Sequence, residues 1–186
     1  MRRDLRGAAE PIANGKPATP EAVIACRRDL TNISGEPMSS SGLVVFDRTI
    51  QETNIWLGEI AEEIGPDRQV AYRVLRAVLH AIRDRLMADQ AAHLSAQLPM
   101  LIRGIYYEGY HPARTPSTAR GRAGFLNAVS GELRDTRPIN PEDACAAVFN
   151  CMRRHITPGQ LEHVFWSLPE PVRQILGSVE TAKGAA

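Results

Sequence analysis

The chain of 186 residues lacks the signals that mark several large classes of protein. No apolar run approaches the roughly 20 residues that a membrane-spanning helix needs. No apolar stretch follows the basic N-terminal residues either, so we expect no secretory signal. Neither sign of charge dominates, because the formal net charge is +1. The overall charge therefore gives no reason to expect nucleic acid or a membrane surface as a partner.

Cysteine is also scarce. The three cysteines, Cys26, Cys145 and Cys151, are too few for a disulfide framework and show no ligand-like spacing. Cys145 and Cys151 fall on the apolar phase of a predicted helix, where cysteine behaves as a small hydrophobic residue. We therefore expect a reduced, cytoplasmic protein that holds no cofactor.

Local catalytic motifs are missing as well. The sequence contains no glycine-rich phosphate loop, no nucleophile in a strand–turn–helix setting and no carboxylate pair with a histidine partner. Sites assembled by folding need not be local, but the sequence favours a protein that is not an enzyme.

What the chain does contain is an internal repeat. Residues 69–106 recur without a gap as residues 139–176, at a constant offset of 70. The segment before them repeats at an offset of 69, so that Leu57 corresponds to Leu126. Such self-similarity indicates a duplicated structural unit. Identical pairs at offset 70 include Ala77 and Ala147, Val78 and Val148, Arg83 and Arg153, Gln90 and Gln160, His93 and His163, and Pro99 and Pro169.

Within each copy, apolar residues recur every three or four positions, which is the period of an α-helix with one buried face. The sequence therefore predicts an all-α protein of two homologous units. Each unit has three to four helices, and the two pack with approximate two-fold pseudosymmetry. Gly65-Pro66 should end the first helix, and Asn140-Pro141 should begin the central helix of the second unit. Residues 43–46 are the one candidate for a strand.

These patterns divide the chain into five segments. Residues 1–42 are expected to form a loosely ordered extension, with Met38 as a candidate for the natural start. The first helical unit is assigned to residues 43–110 and the second to residues 125–177. Residues 111–124 form a basic linker loop between them, and residues 178–186 a flexible tail.

The paired histidines His93 and His163 are candidate metal ligands, because equivalent positions of a pseudosymmetric fold can meet on its axis. Glu108 and His111 are the further ligands considered, since Glu-x-x-His is half of a di-iron carboxylate motif. The plainer interpretation is favoured: the histidines make one helix contact that was copied with the unit. Few other ligand types surround these positions.

Two neighbouring segments are candidate binding sites. Tyr106, Tyr107 and Tyr110 form the densest aromatic cluster, which suits an interface or the joint between the two units. Arg114, Arg120 and Arg122 lie in a loop without acidic residues and could contact phosphates or an RNA backbone. A polar, basic loop without any partner remains the alternative for these arginines.

Four segments of the first unit carry a family resemblance: residues 46–57 (FDRTIQETNIWL), 77–86 (AVLHAIRDRL), 91–99 (AAHLSAQLP) and 101–110 (LIRGIYYEGY). Together with residues 125–173, they resemble a bacterial family catalogued as domain of unknown function 2267. The resemblance implies a duplicated, all-helical, cytoplasmic domain. It implies no activity and no site residues to transfer. Chains of that family usually begin just before the Phe-Asp segment, which favours the start at Met38.

From these observations we expect a non-enzymatic helical module that acts through self-association or a protein partner. A first alternative is a nucleic-acid or phosphate-ligand binder that uses Arg114, Arg120 and Arg122. A second is a metal-dependent enzyme that uses the histidine pair with Glu108 and His111.

Overall fold

Residues 42–182 are described by a computed structural model, with side chains through residue 177. Within that range the chain forms eight α-helices and one 3-10 turn, and no strand occurs among these residues. The all-α prediction is confirmed for this part of the chain. The helices are α1 (Val44–Ile64), α2 (Arg68–Arg83), α3 (Ala88–Ala96), α4 (Met100–Tyr107), α5 (Arg122–Glu132), α6 (Pro141–His155), α7 (Pro158–Ser167) and α8 (Glu170–Ala182).

Three predicted boundaries shift. The strand candidate at residues 43–46 is wrong, because α1 begins at Val44 and its helical period outweighs the short apolar run. The linker predicted at residues 111–124 is shorter, since α5 begins at Arg122. The tail predicted from residue 178 starts inside α8, which continues to Ala182. The expectations for the N-terminal extension and for Met38 lie outside the described residues.

Local signals explain several helix ends. Asp67 caps α2, because its Oδ1 accepts hydrogen bonds from the backbone N–H groups of Gln69 at 2.8 Å and Val70 at 3.4 Å. Asn140 caps α6 in the same way by accepting from Glu142 N at 3.0 Å. Gly65 follows α1 with a φ of 117°, a conformation that favours glycine. The predicted start of α6 and end of α1 are therefore confirmed.

The buried side chains form one continuous hydrophobic core. The central helices α2 and α6 contribute more of it than any other helices, through the faces that the three- and four-residue spacing predicted. Trp56 and Ile60 enter this core from α1, and Phe125 and Val129 enter it from α5. Among the described residues, no helix is both long and apolar enough to cross a membrane.

The helices of the two predicted units interleave. Helix α1 packs on α2 and on α6, and α5 packs on α6 and on α2. The central helices α2 and α6 contact each other, as do the shorter helices α3 and α7. The first helix of each unit therefore lies against the central helix of the other unit.

Candidate anion-binding pocket

A pocket of about 340 Å³ lies where the end of α2, the loop before α5 and the first turns of α5 meet. This loop belongs to the basic segment predicted at residues 111–124 and includes Arg114 and Arg120. Six of the ten lining residues carry polar or charged side chains, while Gly124 and Ala128 supply the wall on the α5 side. The side chains with chemistry to offer are Asp84, Arg85, His111, Arg114, Thr115 and Ser117.

The loop is attached to both helices that border the pocket. Ser117 N donates a hydrogen bond of 2.6 Å to the carbonyl oxygen of Asp84, which lies just beyond α2. On the other side, a Cβ at Gly124 would lie only 2.9 Å from Ala119 Cβ. Glycine at position 124 therefore lets the loop approach α5 closely. These contacts hold the loop over the end of α2 and shape the pocket.

Arg85 is the unusual residue of this lining. Its side chain is only 5 % exposed, yet its Nε has no hydrogen-bond partner among the described residues. Nη1 donates to Ala81 O at 2.8 Å, and the guanidinium lies 4.8 Å from the centre of the Phe125 ring. Burial lowers the pKa of Arg85, but arginine remains charged in proteins. The residues that line the pocket therefore include a buried cation whose Nε–H group has no hydrogen-bond partner among the described residues.

No acidic side chain of the described residues forms an ion pair with Arg85. Its nearest acid in sequence, Asp84, accepts instead from Arg83 Nε at 2.8 Å. A buried charge without a partner destabilises a fold, so its presence calls for another explanation.

Arg83 shows how a buried arginine is normally satisfied. It is 4 % exposed, and its guanidinium donates to Asp84 Oδ1, Tyr106 O and Glu108 O. It also lies 5.0 Å from the centre of the Tyr110 ring. Arg83 therefore joins the end of α2 to the end of α4, and it neutralises the one acidic residue that lines the pocket.

The remaining lining adds donors for an anion. Arg114 is exposed and borders the pocket. Ser117 Oγ accepts from Ala119 N at 3.3 Å, which leaves the hydroxyl hydrogen available to a ligand. Helix α5 has no acid in its first turn and no side-chain cap at Gly121, so its positive end is not neutralised locally. Donors and positive charge therefore converge on one small cavity.

The structure separates the three loop arginines that the sequence grouped. Arg114 borders the pocket. Arg122 Nη2 lies 2.6 Å from Glu142 Oε1 in an ion pair, and Arg120 is exposed and does not line the pocket. Sequence reasoning did not assign a site role to Arg85. Its place three residues after Ile82, which continues the apolar phase of α2 just beyond the end of that helix, was the available signal.

The tyrosine cluster mostly serves the fold. Tyr106 is fully buried, and its hydroxyl donates to Ala91 O at 3.1 Å. Burial raises the pKa of Tyr106. Tyr107 donates to Ser95 Oγ at 2.8 Å, while Tyr110 lies against Arg83. These contacts connect α3 and α4 to the end of α2, and all of them lie within the first predicted unit rather than between the two units.

His93 and His163 do meet. Their rings lie edge to face with centroids 6.4 Å apart, on the exposed sides of α3 and α7. The other proposed ligands have different partners: Glu108 pairs with Arg76 at 2.7 Å, and His111 Nδ1 lies 2.8 Å from Gly109 O. Within the described residues, these four do not form a group of three or more ligand atoms.

Glu108 belongs to a polar network that links α2, α4 and α5. Arg76 pairs with both Glu108 and Glu132. The ring of the buried His80 places Nε2 2.8 Å from Ile105 O and Nδ1 3.3 Å from Glu132 Oε1. The hydrogen bond from His80 is the main cause that lowers the pKa of Glu132. The network connects α2 to the end of α4 and to the end of α5, and α2 and α5 are the helices that border the pocket.

Comparison with known proteins returns one family. A family model described as "Uncharacterized conserved protein (DUF2267)" matches residues 53–175, from within α1 to within α8. No curated protein matches the chain.

Proposed function

Because the chain belongs to the DUF2267 family, whose description carries no activity, we propose a function from the pocket's own chemistry. The protein binds a small ligand through an oxyanion group, and a phosphate fits best. The observation that supports this most strongly is Arg85 in the lining of a cavity, a buried cation whose Nε–H has no partner in the described part of the chain.

Phosphate is preferred because the number of its oxygen acceptors and its tetrahedral shape suit the donors around the pocket. A tetrahedral phosphate can accept hydrogen bonds from Arg85, Arg114 and Ser117 together, and arginine binds such oxygens in well-defined geometry. The volume of about 340 Å³ lies near the lower end of the range for ligand pockets. It leaves room for a phosphate with a small organic part.

Calorimetric titration of the full chain with inorganic phosphate and pyrophosphate tests the proposal. We expect binding that Arg85→Met abolishes and that Arg114→Ala weakens about tenfold, the loss of roughly one charge-assisted hydrogen bond. Arg120→Ala and Arg122→Ala are matched controls from the same loop and should leave the affinity unchanged.

Two outcomes would contradict this function. The first is no heat of binding at millimolar phosphate or pyrophosphate. The second is an equal loss of affinity when Arg114, Arg120 or Arg122 is replaced with alanine, together with binding that weakens steeply as salt is added. That result would indicate a diffuse contact with a polyanion such as nucleic acid.

A second candidate function, self-association with another copy of this chain, is favoured by exposed apolar side chains on two adjacent helices. Phe46 and Ile50 of α1 are each 44 % exposed, and Leu101 of α4 is 45 % exposed. The Thr49 hydroxyl accepts from Leu101 N at 3.1 Å, which brings the start of α4 against α1. The three side chains therefore belong to neighbouring surfaces of the kind that interfaces cover.

Sedimentation equilibrium measures this association directly. We expect a dimer that Ile50→Lys or Leu101→Lys shifts to monomer, because a buried lysine without a partner opposes association. The control is Ile55→Lys, since Ile55 is equally exposed but lies two and a half helical turns from Phe46 on the opposite side of α1. A wild-type chain that stays monomeric throughout the micromolar range rules this candidate out.

We further propose that the two helical units are copies related by approximate two-fold pseudosymmetry. Helices α3 and α4 begin 70 residues before α7 and α8. The pairs that contact their own counterpart, α2 with α6 and α3 with α7, are those expected next to a two-fold axis. Corresponding side chains also make corresponding contacts. The contact of His80 with Glu132 corresponds to that of Asn150 with Glu63. The contact of Arg85 with Phe125 corresponds to that of His155 with Trp56. Trp56 and Phe125 then have equivalent roles, which stability measurements at both positions test.

A further inference from the structure

Three potential metal ligands from two helices lie close together on the side of the molecule where α1 meets α6. They are Glu59 of α1 and Cys151 and His155 of α6. One oxygen, one sulfur and one nitrogen atom of these side chains all lie within 4.8 Å of one another. Among the described residues, this is the one such group of three. We propose that Glu59, Cys151 and His155 bind a divalent transition-metal ion of the zinc type.

The helical spacing favours this arrangement. Cys151 and His155 are four residues apart, so they lie on the same face of α6, one turn from each other. Two ligands at this spacing on one helix, completed by a carboxylate from elsewhere, make up a known zinc-binding pattern. Glu59 supplies that carboxylate because α1 packs against α6.

The ligand types also point to the metal. A thiolate with an imidazole suits zinc and its neighbours in the transition series, whereas magnesium and calcium prefer oxygen alone. Three protein ligands leave one of four zinc positions for water or a ligand. A cavity of about 300 Å³, lined in part by Trp56 and His155, opens beside the group and can hold that fourth ligand.

The present contacts of Glu59 can be exchanged for a metal. Its carboxylate lies 2.8 Å from His155 Nε2 and 2.6 Å from Arg154 Nε. A metal ion would replace the proton between Glu59 and His155. Arg154 would not lose its acidic partners, because it also reaches Glu63 Oε1 at 3.4 Å.

The neighbouring side chains already orient two of the ligands. The His155 ring stacks on Trp56 with centroids 5.2 Å apart and planes 25° from parallel. Cys151 Sγ lies 3.9 Å from Trp56 O, a weak contact that metal binding can replace. Trp56 therefore acts as the support that positions both side chains, as residues around metal ligands commonly do.

The state of Cys151 argues against a nucleophilic role. The residue is fully buried, and burial raises the pKa of its thiol. Without a metal, it is a neutral thiol rather than a reactive thiolate. On binding, the thiol transfers its proton to solvent and the sulfur bonds to the metal, so binding releases a proton.

Cobalt(II) titration of the metal-free full chain tests the proposal, because cobalt occupies zinc sites and a thiolate ligand gives it a strong sulfur-to-metal absorption band. We expect this band to saturate at one equivalent and to disappear when zinc is added. It should be absent in Cys151→Ser. In His155→Gln and in Glu59→Gln the cobalt affinity should fall at least about tenfold.

Matched controls separate this site from other thiols. Cys145→Ser, which changes the other buried cysteine of α6, and Cys26→Ser should both keep the band. His155→Gln and Glu59→Gln alter partly exposed side chains, so they remain informative even where Cys151→Ser lowers stability. A wild-type chain without the band at millimolar cobalt overturns the proposal. So does a band that survives in a folded Cys151→Ser protein.

Discussion

Replacing Arg85 with methionine should abolish phosphate binding and also raise the free energy of unfolding, by about 1–3 kcal/mol. Most substitutions of buried residues have the opposite effect on stability. Arg85 differs because its Nε has no partner and no acid neutralises its charge in the described part of the chain. Methionine keeps much of the side-chain volume and can pack on the Phe125 ring. It removes the charge that the fold must otherwise bury.

Arg83 is the matched control for this experiment. It is two positions away and equally buried, but its guanidinium donates to Asp84, Tyr106 and Glu108. Arg83→Met leaves two backbone carbonyls without their donor and should lower the free energy of unfolding by about 2–4 kcal/mol. Urea denaturation of both variants without phosphate gives the comparison, with unchanged m values as the check for two-state behaviour.

The sign of the Arg85 result decides between two explanations. A loss of stability close to that of Arg83→Met would show that Arg85 serves the fold. The anion pocket would then lose the observation that supports it most strongly. A gain in stability combined with a loss of binding is the expected signature of a residue kept for its ligand.

Trp56→Ala should lower the free energy of unfolding by about 3–5 kcal/mol, the range found for large aromatic side chains in cores. Trp56 is 2 % exposed and stacks on His155, so it connects α1 to α6. Phe125→Ala removes the corresponding connection between α5 and α2 and should have an effect of similar size. Because the core is continuous, each variant should still unfold in a single transition.

Amide hydrogen exchange shows whether the effect spreads through the core. Protection of α2 and of α6 should fall together in both variants. Trp166→Ala is the control, since Trp166 is 68 % exposed and its one described ring–cation contact, with Arg173, is worth about 1 kcal/mol at most at an exposed site. Two separate transitions, or protection lost in one unit alone, would contradict both the shared core and the equivalent roles of Trp56 and Phe125.

Helix positions were predictable because their signals are local. The four-residue spacing of Val74, Val78 and Ile82 predicts the buried face of α2, and the structure buries all three. The caps at Asn140 and Gly65 depend on residues next to each other in sequence. Such features need no knowledge of what the helix packs against.

The candidate sites depend on contacts between segments that are distant in sequence. Local sequence patterns do not predict such contacts. Arg85 was visible as a charged residue in an apolar phase, but the absence of a hydrogen-bond partner for its Nε among the described residues depends on the side chains that folding brings around it. In the same way, the spacing of Cys151 and His155 is local, whereas Glu59 reaches them from α1. The equivalent positions of His93 and His163 suggested that they could meet, but only the folded chain shows that their rings lie against each other at the surface.

In the duplication proposed above, the corresponding rings of Trp56 and Phe125 carry different partners, His155 in one case and Arg85 in the other. In a homodimer, both rings would be encoded by the same codon, so any mutation there would change the residue in both subunits. Two units joined in one chain escape that requirement. Mutation can alter one half while the other preserves the packing, so this chain can combine a thiol–imidazole group on one side with a cationic cavity on the other.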